Sequence, residues 1–150
     1  MSGGGGGYWE WVGPKAGILL HGATKPVHAD YSNVFGSKTW GQEWAHGYLP
    51  LATLDADKDG KIAGAELEPL WIWLDANTDA RVQPQEVRPA ADYFQELPLG
   101  YESDKEGNTW QEPKVPLKDG KKVRSWDWWP RRYNPLRAGR QLDYVLPAVA

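Results

Sequence analysis

Asp55-Ala56-Asp57-Lys58-Asp59-Gly60-Lys61-Ile62-Ala63-Gly64-Ala65-Glu66 is the stretch on which the reading of this chain turns. Acidic residues stand at its first, third and fifth positions, glycine at the sixth and glutamate at the twelfth. That spacing suits a loop wrapped around a hard cation such as Ca²⁺, which wants six to eight oxygens at about 2.3–2.6 Å. Asp55, Asp57 and Asp59 point carboxylates inward, Gly60 permits the sharp turn, Lys61 offers its backbone carbonyl and Glu66 closes the shell with both oxygens. Ile62 packs inward, and Ala63 has no side-chain oxygen, so a water is expected at that vertex.

The pattern returns twenty residues later as Asp75-Ala76-Asn77-Thr78-Asp79-Ala80-Arg81-Val82-Gln83-Pro84-Gln85-Glu86. Asp75, Asn77, Asp79, the Arg81 carbonyl, Gln83 and Glu86 keep the ligand positions. Ala80 replaces the turn glycine and is expected at positive φ, at a cost of order 1 kcal/mol. With that strain and one negative charge fewer, the second loop is expected to bind calcium more weakly than the first. Pro84 suits the first turn of a following helix.

Between the loops, Leu67, Leu70, Trp71 and Leu74 fall at helical spacing, although Pro69 interrupts them. One short helix is therefore expected to serve both loops, which leaves little room for the helix-angle change of a calcium sensor and favours a structural site. A second short helix is read over Gln85 to Glu96, burying Val87, Ala90 or Ala91, and Phe94. Farther on, Leu97, Leu99 and Tyr101 alternate, and Asp119-Gly120 marks a tight turn before Val123 to Trp129. The expected fold is α+β and loop-rich, combining a loop pair that shares one helix, a small antiparallel β element and an extended C-terminal arm. The expected division is a flexible glycine-rich tail over 1–7, a calcium-binding domain over 8–129 and the arm over 130–150.

Composition narrows the function classes. The 150 residues carry a net charge of −3, no cysteine, 10 Trp and 7 Tyr, so aromatic rings do much of the work of a core short of aliphatics. Without cysteine there are no disulfides, thiolate metal sites or cysteine nucleophiles. No window approaches the roughly 20 apolar residues of a membrane span. His21, His28 and His46 lack zinc-like spacing, and Ser32, Ser37, Ser103 and Ser125 lie in no nucleophile elbow. An enzyme is not expected. Charge is uneven: residues 1–112 sum to −9 and 113–150 to +6. The net acidity argues against nucleic acid as a partner.

The two loops carry the EF-hand pattern. With Phe35-Gly36, Gly47-Tyr48-Leu49-Pro50-Leu51-Ala52, Leu70-Trp71-Ile72-Trp73, Glu86-Val87, Gly107-Asn108 and Ser125-Trp126-Asp127-Trp128, the chain resembles the EF-hand calcium-binding modules of large secreted bacterial proteins, some of them hemolysin-type. The resemblance covers about residues 11 to 129. It implies closely spaced calcium loops followed by a β-hairpin, and an extracellular or periplasmic setting. It also implies that His21 to His28, where His21, Ala23 and Lys25 stand at ligand positions, is an upstream calcium loop that has lost its ligands and remains as scaffold.

The C-terminal segment has a different chemistry. Trp128, Trp129, Arg131, Arg132, Tyr133 and Arg137 have the Trp, Tyr and Arg composition of interface anchors. The first expectation is thus a calcium-stabilised structural or docking module, an accessory subunit whose arm grips a larger protein. The alternative is a carbohydrate-binding module, with Trp110, Trp128 or Trp129 as a stacking platform beside a structural calcium site.

Overall fold

A computed structural model describes residues 16–106, 108–127 and 147–149. Its strands are β1 (Gly17–His21), β2 (Lys61–Ala63), β3 (Leu70–Leu74), β4 (Val87–Pro89) and β5 (Glu96–Pro98), then β6 (Glu102–Ser103), β7 (Thr109–Pro116), β8 (Lys122–Asp127) and β9 (Pro147–Val149). The one α-helix among the described residues is α1 (Tyr48–Ala52). Seven strands form one sheet in the order β4-β3-β1-β9-β8-β7-β6, and β2 pairs separately with β5.

The fold is therefore mostly β, which corrects the α+β expectation of two loops sharing a helix. Between the loops run a 3-10 turn, Gly64–Leu67, and strand β3. The sequence of β3, Leu-Trp-Ile-Trp-Leu, explains the error. An unbroken apolar run of aromatic and branched residues suits a strand buried on both faces, and the helical spacing of its leucines is incidental. Pro69, lacking an N–H, precedes that strand instead of kinking a helix. The second expected helix is also absent: Gln85 to Glu96 is divided among a 3-10 turn at Pro84–Glu86, strand β4, and a 3-10 turn at Ala90–Asp92. Val87, Ala90 and Phe94 are nonetheless buried.

β3 pairs antiparallel with β1 from Gly17↔Leu74 to His21↔Leu70, and with β4 at Trp73↔Val87. The side chains of β1 alternate between two cores, as strand geometry requires. Leu19 joins Phe35, Tyr48, Leu51, Ile62, Leu70, Ile72 and Phe94, whereas Ile18 and Leu20 join Trp73 and Val87 on the opposite side. Each fully buried side chain of this size contributes about 1.5–3 kcal/mol over its exposed state.

Of the expected β element, the hairpin is present as β7 and β8, but it belongs to the seven-stranded sheet, and Leu97 lies instead on β5, paired with β2. The hairpin turn lies at Asp119-Gly120, where Gly120 has φ 88° and the Lys121 N–H donates to Asp119 Oδ1 at 2.9 Å. The inner face of this hairpin carries a buried polar chain. Tyr48 Oη lies 2.8 Å from Ser125 Oγ, Ser125 Oγ donates to Gln111 Oε1 at 2.5 Å, and Gln111 Nε2 donates to the carbonyls of Pro98 and Gly100 at 2.5 and 2.8 Å. Burial pushes the Tyr48 hydroxyl well above its ordinary range, more than the Ser125 bond lowers it, so it stays a neutral donor. This chain ties α1, which leads into the first acidic loop, to β7 and β8.

Candidate metal centre

Both acidic loops fold the same way, position by position. At the first position Asp55 Oδ2 accepts from the Gly60 N–H at 2.9 Å, and Asp75 Oδ2 from Ala80 at 2.8 Å. The other oxygen of each aspartate accepts from the fifth residue, Asp59 at 3.1 Å and Asp79 at 3.2 Å. Asp57 Oδ1 and Asn77 Oδ1 accept from those same N–H groups, both at 3.2 Å. Asp59 Oδ1 then accepts from Lys61 at 3.1 Å, and Asp79 Oδ1 from Arg81 at 2.9 Å. At the twelfth position Glu66 Oε2 accepts from Ala63 at 3.1 Å and Glu86 Oε2 from Gln83 at 3.3 Å. Backbone conformation agrees as well: φ is positive at Lys58 and Gly60 in the first loop and at Thr78 and Ala80 in the second, 60°, 87°, 55° and 58° respectively. Ala80 thus adopts the strained conformation expected of it.

The first loop gathers one ligand atom from each of Asp55, Asp57 and Asp59 within 4.8 Å of one another. Glu66 closes over them, its Oε1 accepting from the Ala56 N–H at 2.7 Å. The electrostatics record the crowding. The Asp57 carboxyl accepts the Asp59 N–H, which lowers its pKa, yet desolvation, the neighbouring Asp55 carboxyl and the charges of Asp59 and Glu66 raise it overall. For Asp55, partial burial is outweighed by the N–H groups of Gly60 and Asp59, and its pKa falls. One carboxylate is thus held ionised beside another that resists ionisation, a tension that a cation would remove.

The second loop is set deeper. Asp75 is fully buried, Glu86 is nearly so, and Glu86 Oε2 accepts the Trp73 indole N–H at 3.1 Å. Gln83 Nε2 donates to Asp79 Oδ2 at 2.7 Å, while the Oε1 of the same amide is buried without a partner. An orphan amide oxygen beside the fifth-position carboxylate fits the ninth ligand position, and turning the amide over brings that oxygen to the site. The Arg81 N–H lowers the Asp79 carboxyl, with help from Gln83 and Asn77, so Asp79 is held as the anion. Lys61 and Arg81 stand at the seventh positions, and the Lys61 side chain pairs with Glu96 at 2.8 Å, away from the loop.

Sequence reading did not foresee where the loops point. Ile62, at the eighth position of the first, lies on β2 opposite Leu97 of β5, whereas Val82 of the second packs against the core formed by Trp73 and Val87. Each loop serves a different core. The Glu86–Trp73 bond was also unforeseen, because it depends on β3 being a strand. In the upstream stretch, Lys25 Nζ donates to the carbonyl of Pro84, the tenth position of the second loop, at 3.0 Å.

Trp110 and Trp126 face each other across β7 and β8, and both are half-buried. Trp128, Trp129, Arg131, Arg132, Tyr133 and Arg137 lie outside the described residues. So does the glycine-rich start. No helix among the described residues is long and apolar enough to cross a membrane. A scan against protein-family models finds no match, and a search of curated proteins finds none either.

Proposed function

We propose that this chain is a calcium-binding structural module, in which the ion fixes the loop between α1 and β2 and, more weakly, the loop between β3 and β4. The observation that carries this reading is the congruence of the two loops: ten corresponding hydrogen bonds and four positive φ angles at matching positions. Asp55, Asp57, Asp59, the Lys61 carbonyl and Glu66 would hold one ion, and Asp75, Asn77, Asp79, the Arg81 carbonyl, Gln83 and Glu86 the other. A bound ion supplies neutralising charge, and no chemical step is assigned to it. Extracellular or periplasmic millimolar calcium would suit the exposed carboxylates of the first loop. Attachment to a larger protein through the segment that follows β8 completes the proposal, resting on the Trp and Arg composition of that segment.

Thermal melts in chelator and in millimolar calcium test the core of the reading. Binding to the folded state adds about 2.7 kcal/mol at a hundredfold excess over Kd, so the midpoint should rise by several degrees. Magnesium at equal concentration should give a smaller rise, because it resists losing its waters. An unchanged midpoint in calcium would remove the basis of the proposal.

The cross-strand pair of half-buried Trp110 and Trp126, the latter packed against the larger core, favours a second reading in which the part of the rings left exposed stacks against sugar rings. Retardation in affinity gels containing soluble polysaccharide would support it, and unaltered mobility across a panel of polysaccharides would count against it.

A further inference from the structure

Asp127, the last residue of β8, is only 5 % exposed, yet it is a carboxylic acid. Its Oδ2 accepts the Gly47 N–H at 2.9 Å, and no other hydrogen bond or ion pair reaches it among the described residues. Gly47 stands immediately before α1 and is closely confined: a Cβ there would lie 2.8 Å from the Phe35 carbonyl oxygen and 3.0 Å from Asp127 Oδ1. Among the described residues, the groups around this junction offer no compensating charge. His46 is buried, its Nδ1 has no partner, and its ring sits 4.5 Å from that of Tyr101 and 6.0 Å from that of Tyr48. Burial lowers the His46 pKa, so the imidazole is neutral at pH 7. Tyr48 is neutral too, and the other buried polar residues of β7 and β8, Thr109, Gln111 and Ser125, carry no charge.

We propose that Asp127 is a proton-operated latch: neutral, it locks the Gly47 junction and α1 against β8, and ionised, it favours an open junction in which its carboxylate reaches water. The geometry supplies one neutral N–H donor where an isolated buried carboxylate needs a cation or several donors. Burial raises the carboxyl to about 6, against which the Gly47 bond acts only in part. The sign follows from proton linkage. A folded-state pKa above the unfolded value means that the closed form binds the extra proton. Stability from this group is therefore fully present below the ordinary carboxylate range and is lost as pH rises through about 6. A shift of about two units corresponds to a change on the order of a hundredfold in the ratio of closed to open junction. The latch involves no proposed calcium ligand, so it stands or falls separately from the calcium reading.

Hydrogen exchange at the Gly47 amide reads the junction directly in the full chain with chelator present. Its protection factor, corrected for the intrinsic pH dependence of exchange, should fall about tenfold between pH about 5 and about 7.5, the remainder of the hundredfold change lying at lower pH. Asp127→Asn, which keeps an acceptor for Gly47 and removes the charge, should hold protection constant over that range. If the variant retains the fall, the titrating group is another, such as His46, and the proposal is overturned. Should the variant fail to fold, a carbonyl-carbon NMR titration of wild-type Asp127 decides the matter. A midpoint near 6 supports the latch, and one in the ordinary carboxylate range overturns it.

Discussion

Gly60 and Ala80 hold the same turn in two loops, but only glycine does so without a Cβ clash. An L-residue in this left-handed region costs about 1–2 kcal/mol, part of which glycine gives back through greater freedom in the unfolded chain. Ala80→Gly is therefore expected to stabilise the protein by up to about 1 kcal/mol and to tighten the second loop by up to about tenfold, the two effects sharing one source. Chemical denaturation in chelator and calcium calorimetry on both proteins measure them; equal stabilities would mean that the loop relaxes around alanine without strain. This residue was legible in the sequence because the twelve-position pattern states which backbone each position needs. Asp127 was not, since nothing in Ser-Trp-Asp-Trp reveals that the acid turns inward beneath Gly47 while Trp126 stays half outside.

Among the elements, the loops and the hairpin turn at Asp119-Gly120 were readable because short-range chemistry sets them. The connector between the loops was not. Leu70 to Leu74 satisfies a helical spacing and a buried strand equally, and the partners that decide between them, β1 and β4, lie far away in sequence. The consequence for calcium is specific. Ile62 pairs with Leu97 and Val82 joins another core, so the two loops lack the direct strand link through which one filled site could order its neighbour. Calorimetry is expected to resolve two independent events, with Glu66→Gln weakening the tighter one at least tenfold and leaving the weaker within about twofold. Glu86→Gln should do the converse, and also cost stability without calcium because it weakens the acceptor of the Trp73 indole N–H. Strong mutual dependence of the two sites would contradict this independence.

Across the whole molecule, three residues join two halves of one sheet. β9 pairs with β1 at Gly17↔Val149 and Ile18↔Ala148, and with β8 at Ser125↔Val149, Trp126↔Ala148 and Asp127↔Pro147. The segment read as an arm from composition thus returns to the domain at 147–149, and a cut after Trp128 would remove a central strand along with any docking surface. Ala148→Pro deletes the N–H of a residue paired on both sides and places proline in a central strand, where it removes a ladder hydrogen bond. It should lower the melting midpoint by at least several degrees, and a midpoint equal to that of the unsubstituted protein would show that β9 contributes little to the sheet.

The strand order also implies a sequence of events in time. β3 and β4 close over a short span, as do β7 and β8, and each can find its partner early through local contacts. β9 must bridge to β1 across about 130 residues of chain, and its seat between β1 and β8 exists only once both flanking groups of strands have formed. Until then the facing edges of β1 and β8 remain unpaired and able to recruit any passing strand, so the window before β9 docks is when this chain is most exposed to misassembly.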